Sequence, residues 1–332
     1  MIPQLKTVAL HITNECSHSC PMCYATSDCQ VKREGNIHKL KKISTIFKQA
    51  GVSEICLVGG DPAEYTKMLE LLKHLKGELD LDVSILSNTH NYQGCSIEEV
   101  ATNVFSLEAT IHSPIPEKHD RFCGRENAYH NVISNLKIYD GVRTPEQKLG
   151  IVLNLMSHNN HQLSDTVESV LNQGIGVDYV LIQRIAPFYR GKFFQSSMTK
   201  EKIVLGMMEV DKINKKLGIE TSFVDAFPYC LIPEEYHSYL TNCDWGYGTV
   251  ACDMDGNLSR CAMSPEYKLG NVLYENVIDI WENDPSLKTF RAKKFLPEEC
   301  HNCTYLGKCG GACSMSCGSE QHNVDILVKK RV

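Results

Sequence analysis

Residues 7–24 read TVALHITNECSHSCPMCY, an apolar, β-branched run followed at once by Cys16, Cys20 and Cys23. The run has the length and composition of a strand. The thiols behind it fall in a C-x3-C-x2-C spacing. Thiolates are soft ligands suited to zinc and to iron–sulfur clusters. Three of them on one short loop can hold three corners of a [4Fe–4S] cube and leave one iron free. A closed zinc site wants four ligands, and Cys29 is the local fourth thiol, so zinc stands as the competing reading.

Outward from this stretch, strand-like and helix-like segments alternate. Strands are expected at Thr7–Ile12, Glu54–Val58, Asp82–Leu86, Val104–Ile111, Leu149–Leu155 and Asp178–Ile182. Helices are expected near 38–49, 65–76, 96–101, 127–139, 161–172 and 199–216. Leu40, Ile43, Ile46 and Phe47, for example, have the spacing of one buried helix face. Six β-then-α units predict an α/β fold with a parallel sheet and helices outside. Six are too few for a closed eight-stranded barrel but enough for an open, partial (β/α)6 barrel, with its chemistry at the C-terminal ends of the strands.

Composition narrows the class. Of 332 residues, 42% are hydrophobic and 22% charged, which excludes global disorder. Forty acidic against 34 basic side chains leave a net charge of −6, which argues against a sequence-blind nucleic-acid binder. No apolar run is long enough to span a bilayer, and polar residues interrupt the N-terminus where a signal peptide would need an apolar core. A cytoplasmic protein with no membrane or nucleic-acid partner is expected. Sixteen cysteines without an export signal point to metal or redox chemistry rather than disulfides. They gather at the two ends, with only Cys95 and Cys123 between Cys56 and Cys230. The expected organisation is a barrel over residues 1–216 and a cysteine-rich domain over 217–332.

The C-x3-C-x2-C loop after a first strand, with the aromatic Tyr24 beside the last cysteine, resembles the radical S-adenosylmethionine (SAM) superfamily. The resemblance implies that Cys16, Cys20 and Cys23 hold a [4Fe–4S] cluster whose open iron is chelated by SAM. One electron then cleaves SAM to methionine and a 5′-deoxyadenosyl radical that takes a hydrogen atom from substrate. Gly59-Gly60-Asp61-Pro62, at the end of the second strand, is similar to the family's GGEP motif, with Asp in place of Glu. Glycines there let the backbone approach a ligand closely. The resemblance implies SAM contacts for Asn88 at the third strand's end, for Ser106 on the fourth, for Arg125 in CGREN and for Gln183 at the end of the sixth. An Arg can grip a carboxylate with two parallel bonds, and the competing reading of Arg125 is a surface ion pair. Cys123, read as lying in a loop after the fourth strand, would return a hydrogen atom to a substrate radical or be a passive loop thiol. Cys56 is read as core. His112 and His119 show no metal-ligand spacing and are read as surface or supporting residues.

The C-terminal cysteines run Cys243-x12-Gly256-x4-Cys261, then Cys300-x2-Cys303-x5-Cys309-x3-Cys313, then Cys317. This resembles the seven-cysteine SPASM extension of radical SAM enzymes, which implies two auxiliary clusters and three [4Fe–4S] clusters in all. By that pattern Cys300, Cys303, Cys309 and Cys317 hold the outer cluster, and Cys243, Cys261 and Cys313 the inner one. Asp255-Gly256 reads as a two-residue hairpin turn, which puts Cys252 on the same hairpin face as Cys261. The inner cluster's fourth ligand is therefore Cys252 or, favoured slightly, Cys230 in FPYCLIP. Two structural zinc ribbons are the alternative for this segment.

The family resemblance implies a substrate that is a ribosomally made peptide, crosslinked through thioether or carbon–carbon bonds or epimerised. Small-molecule dehydrogenation or rearrangement is the alternative. Oxidation of a sulfatase to formylglycine is disfavoured, because Ala262 stands where such relatives carry an Asp base. With the first strand at residue 7, no leader-binding module is expected, so leader recognition falls to a separate protein or to the barrel. A flavodoxin or ferredoxin would supply the electron.

Overall fold

Ten strands make one sheet in the computed structural model, which describes residues 2–25, 32–185, 188–191, 198–263, 268–294, 296 and 298–316. They are β1 (Thr7–Thr13), β2 (Glu54–Gly59), β3 (Asp82–Ser87), β4 (Ser106–Thr110), β5 (Lys148–Leu155), β6 (Tyr179–Arg184), β7 (Glu220–Phe223), β8 (Thr249–Cys252), β9 (Asn257–Ser259) and β10 (Lys268–Asn271). The order is β10-β9-β8-β1-β2-β3-β4-β5-β6-β7. From β1 to β7 every neighbour is parallel, as the alternation of strands and helices requires. All six expected strands are present. The short β7 was not expected, and neither was the parallel pairing of β8 with the outer edge of β1. The expected boundary at 216/217 falls just before β7, and the sheet continues across it on both edges.

The connecting helices cover one face of this sheet. They are α1 (Ile37–Gln49), α2 (Met68–Leu72), α3 (Ile97–Ala101), α4 (Pro116–Cys123), α5 (Ala128–Val142), α6 (Leu163–Leu171) and α7 (Lys200–Lys212). Asn36 starts α1 by accepting the Lys39 N–H, and Leu40, Ile43 and Phe47 are fully buried beneath it. Burial of such side chains stabilises by about 2 kcal/mol each. Alternation along the strands separates the two faces. Val8, Leu10 and Ile12 of β1 are buried toward the helices, whereas His11 is half-buried on the concave side. In β6, Val180, Ile182 and Arg184 are buried, and Tyr179, Leu181 and Gln183 face the lumen. Cys56 is half-buried and packs with Ala9 and Val58 on the concave side, not in the helix-covered core.

Two local readings change. Cys123 is not in a loop: it ends α4, which begins with Pro116 at its first position and stops at Gly124 in the left-handed region (φ 63°). Proline just inside the start and glycine just past the end are ordinary helix signals. The β8–β9 hairpin is also longer than two residues. The Asp253 carboxylate accepts the N–H groups of Asp255 and Asn257, both at 2.9 Å, and holds a four-residue connection. Cys252 consequently faces Leu258 rather than Ser259. A one-residue slip of register moves a side chain to the opposite face. Cys252 is fully buried in the main core, on the other face of the hairpin from Cys261.

Candidate functional site

The cysteine loop is seated at the C-terminal ends of the first strands. The Gly60 N–H donates to the Thr13 carbonyl at 2.8 Å, Asp61 N–H to Glu15 at 2.6 Å, and Ser19 N–H to Cys123 at 2.8 Å. This approach requires glycine. A Cβ on Gly60 would lie 2.2 Å from the Glu15 oxygen, and one on Gly124 would lie 2.1 Å from Ser19 Oγ. Pro62 opens a short 3₁₀ turn, Pro62–Glu64. Asp61 is buried and faces the protein: it accepts from Ser87 Oγ (2.7 Å), Asn88 N–H (2.6 Å) and Ala63 N–H (2.9 Å). Burial pushes its carboxyl up to about 6, against the pull of these bonds. Asp61 thus ties β2 to the end of β3, and Asn88 extends from there to donate to Cys16 Sγ at 3.6 Å.

The three loop thiols face different partners. Burial raises the Cys16 thiol, with nearby Asp61 adding to the effect. Cys23 Sγ lies 3.6 Å from the Ala25 carbonyl. Cys20 is turned toward Cys123 and His18, with ligand atoms within 4.8 Å of one another. The hydrogen bond between the two thiols holds Cys20 well below the ordinary thiol range and raises Cys123. Behind them, His119 Nδ1 accepts the His112 N–H at 3.2 Å, which assigns the proton to Nε2, 3.4 Å from Cys123 Sγ. Both histidines are buried, not at the surface. Cys29 lies outside the described residues.

The other expected SAM contacts spread out. Tyr24, Gly59 and Gly60 line a cavity of about 160 Å³ together with Asp253, Asn257 and Ala262 of the C-terminal hairpin region. Gln183 faces the lumen from β6. Arg125 is exposed and donates through Nε to His90 Nε2 at 3.2 Å in a separate open depression. Ser106 sits at the opposite end of its strand, paired with Ser84 and Lys148. Among the described residues, Ser17 Oγ, His18 Nε2 and His112 Nδ1 are buried around the loop without a hydrogen-bond partner. Buried polar atoms are normally satisfied. Three thiols, orphaned donors and a glycine-lined approach therefore fit an iron–sulfur cluster with a polar ligand.

The C-terminal thiols divide into two groups. Cys243, Cys261 and Cys313 act on one another; burial first, then Cys313, pushes Cys243 up to about 12, and burial with Cys243 and Cys313 raises Cys261. Cys261 and Cys313 pack with Met315 and Trp245. Cys300 lies in α8 (Glu298–His301) and Cys309 in α9 (Leu306–Cys309), with Cys303 in the turn between. The thiols acting on Cys300 are Cys309, Cys230 and Cys303. The 3₁₀ turn of FPYCLIP carries the exposed Cys230 and packs near the segment of Cys303 and Cys309, where Cys309 Sγ lies 3.8 Å from the Phe227 carbonyl and the Tyr229 and Tyr305 rings are 6.1 Å apart. Cys317 lies outside the described residues.

Sequence reading missed the polar residues of the lumen. Burial, against the field of Asp253, holds His11 neutral with its value lowered to about 4. Tyr179 Oη donates to Glu108 at 3.0 Å, while burial pushes Glu108 up to about 7. The available signal was period-two placement of polar side chains within otherwise apolar strands, as in SLEAT and YVLIQR.

Comparison with known proteins agrees with this arrangement. A radical SAM superfamily model matches residues 10–170, and an iron–sulfur cluster-binding SPASM domain model matches 243–304. The sporulation killing factor maturation protein SkfB of Bacillus subtilis (strain 168) is 23% identical over 310 residues, covering 90% of this chain and 68% of that protein. A probable GTP 3′,8-cyclase of Saccharolobus islandicus (strain M.14.25 / Kamchatka #1) is 22% identical over 292 residues, covering 85% and 89%. Streptococcus suis SuiB bound to S-adenosylmethionine superposes with a TM-score of 0.79 at 15% identity, covering 97% of this chain and 76% of SuiB. The chain belongs to the radical SAM superfamily, carries a C-terminal SPASM domain, and is an enzyme.

Proposed function

We propose that this enzyme modifies a ribosomally synthesised peptide by hydrogen abstraction, forming a thioether or carbon–carbon crosslink or an epimer. The observation that carries the reading is the cavity between the cysteine loop, the Gly59-Gly60 turn and the C-terminal hairpin, because it sets one thiol-rich domain against the other. Cys16, Cys20 and Cys23 would hold the reducible cluster, with Tyr24, Gly59, Gly60 and Asn88 around its ligand. When bound, cluster and SAM together supply a hydrogen-abstracting radical. Residues of the chain then orient substrate in the lumen and exclude water from it, with His11 neutral and Glu108 accepting from Tyr179. Two auxiliary clusters would complete a set of three, the inner one at Cys243, Cys261 and Cys313. That triad contains only three thiols among the described residues, leaving a place for a substrate thiol or for electron acceptance. The peptide reading is supported by SkfB, a maturation protein, and by SuiB, solved bound to its precursor peptide SuiA. Ala262 at the cavity leaves no carboxylate base at that position. A flavodoxin or ferredoxin in the cytoplasm would deliver the electron, and a separate protein or the barrel would read any leader. A small-molecule reaction is the second reading, favoured by similarity to the probable GTP cyclase.

The test is anaerobic reconstitution followed by SAM, dithionite and a precursor peptide encoded near this gene. Wild type should hold about 12 iron atoms and a Cys16/Cys20/Cys23→Ala variant about 8, at four per cube. Wild type should release 5′-deoxyadenosine and return a peptide short of two hydrogens or carrying a solvent deuteron. An unaltered peptide beside a consumed small-molecule substrate would select the second reading. Zinc in place of iron would sink both.

A further inference from the structure

We propose that Asn88 sets the reduction potential of the SAM-type cluster by donating its carboxamide N–H to the thiolate of Cys16. The inference rests on the iron–sulfur reading above and gives Asn88 a task on the cluster itself rather than on its ligand. Its basis is how completely one side chain is held. Asn88 directly follows β3, and its backbone N–H donates to Asp61 Oδ2 at 2.6 Å. Its Oδ1 accepts the His90 N–H at 2.8 Å. A backbone N–H bonds only the oxygen of a carboxamide, so this contact decides which end of the amide is which. The NH2 end is thereby turned to Cys16, with Nδ2 at 3.6 Å from its Sγ.

The backbone beside Asn88 is held just as firmly. Thr89, a β-branched residue, has φ 52°, in the left-handed region that such side chains avoid. Two bonds keep it there: its N–H donates to Ser87 Oγ at 2.8 Å, and Asn135 Nδ2 donates to its carbonyl at 2.6 Å. Ser87 Oγ itself donates to Asp61 Oδ1 at 2.7 Å. Backbone strain persists where the surroundings over-determine it, and it gathers at functional sites. Asp61 therefore acts through Asn88, because its carboxylate is occupied by Ser87, Asn88 and Ala63. Reduction of a cluster adds negative charge that its sulfurs share. An N–H bond to one of those sulfurs strengthens in the reduced state and raises the potential. Asn88 is thus a positioning residue that acts on SAM cleavage through Cys16.

The test is a redox titration of the reconstituted full chain monitored by EPR. It follows the signal that changes when SAM is added, which separates this cluster from the auxiliary ones. Asn88→Ser is neutral, and its hydroxyl can still accept the His90 N–H, as serine does in such turns, but it is too short to reach Cys16. At a fixed solution potential its SAM-sensitive cluster should show about a ten-fold smaller ratio of reduced to oxidised form than wild type. That ratio corresponds to a fall of about 59 mV for one electron. Equal potentials in the two proteins, each loaded with about 12 irons, would overturn the assignment and leave the iron–sulfur reading intact. Should Asn88→Ser fail to hold the cluster, Asn88→Asp decides, since it keeps the shape and the acceptor for His90 while removing the donor. It should also titrate lower, and a potential equal to wild type overturns the proposal. Zinc in place of iron in wild type, or no SAM-sensitive signal, would instead remove the cluster on which the proposal rests.

Discussion

Gly60 shows how a single missing Cβ positions chemistry. Its N–H reaches the Thr13 carbonyl, and there is no room for a methyl group between it and Glu15. Gly60→Ala must push the cysteine loop off the strand ends, so the variant should fold yet fail to hold the SAM-type cluster. Iron analysis should show a loss of about 4 atoms per chain, and retention of full iron would refute the close-approach argument. Glu108 gives a second prediction at this scale. Burial raises its carboxyl from 4.5 to about 7, so the folded protein holds a proton that the unfolded chain releases earlier. The stability this contributes is complete below the unfolded value and is lost as pH rises through the folded one. Glu108→Gln keeps an acceptor for Tyr179 and removes the charge. It should therefore melt higher than wild type at pH 8.5, by about 1–2 kcal/mol after allowance for solvent in the lumen, with the gap narrowing toward pH 6. A gap independent of pH would place Glu108 in a more polar setting than the lumen provides.

At the scale of elements, what the sequence made legible was periodic and local. The six strands and their helices follow from apolar runs and helical spacing, and α4 could have been found from Pro116 and Gly124. The cysteine loop was legible because its spacing is short and contiguous. Register was not, because the β8–β9 pairing depends on how many residues the Asp253 carboxylate gathers into the turn. One residue decides whether Cys252 meets the core or the cluster side. Nor could spacing place Cys230, because the segment before it is anchored through Asp225 and Ala226 to Arg184 of β6. The register makes a prediction. Cys252→Ala should leave iron per chain and SAM cleavage unchanged while lowering stability by about 1 kcal/mol through a small core cavity. Loss of iron in that variant would restore the two-residue turn.

Across the whole molecule, the cysteine-rich segment is a continuation of the barrel rather than an appendage. β8 runs parallel to β1 from Thr249 to Cys252 and covers an edge that would otherwise expose unpaired backbone groups. Trp281 Nε1 donates to the Pro3 carbonyl at 2.7 Å, and Asp255 pairs with both Arg33 and Lys39 at 2.8 Å. The two ion pairs are partly exposed and contribute little alone, so the shared sheet carries the connection. A sheet edge in the middle of a hydrogen-bonded ladder cannot open without exposing β1 on one side. Hydrogen exchange on the loaded protein should therefore give the β8 amides protection comparable to those of β2 and β3, and loss of β8 protection should coincide with that of β1 as denaturant is added. Exchange of β8 at a clearly lower free energy, with β1 still closed, would mean that the cysteine-rich segment opens as its own unit. The cavity between the two cysteine regions would then be a gate rather than a fixed wall.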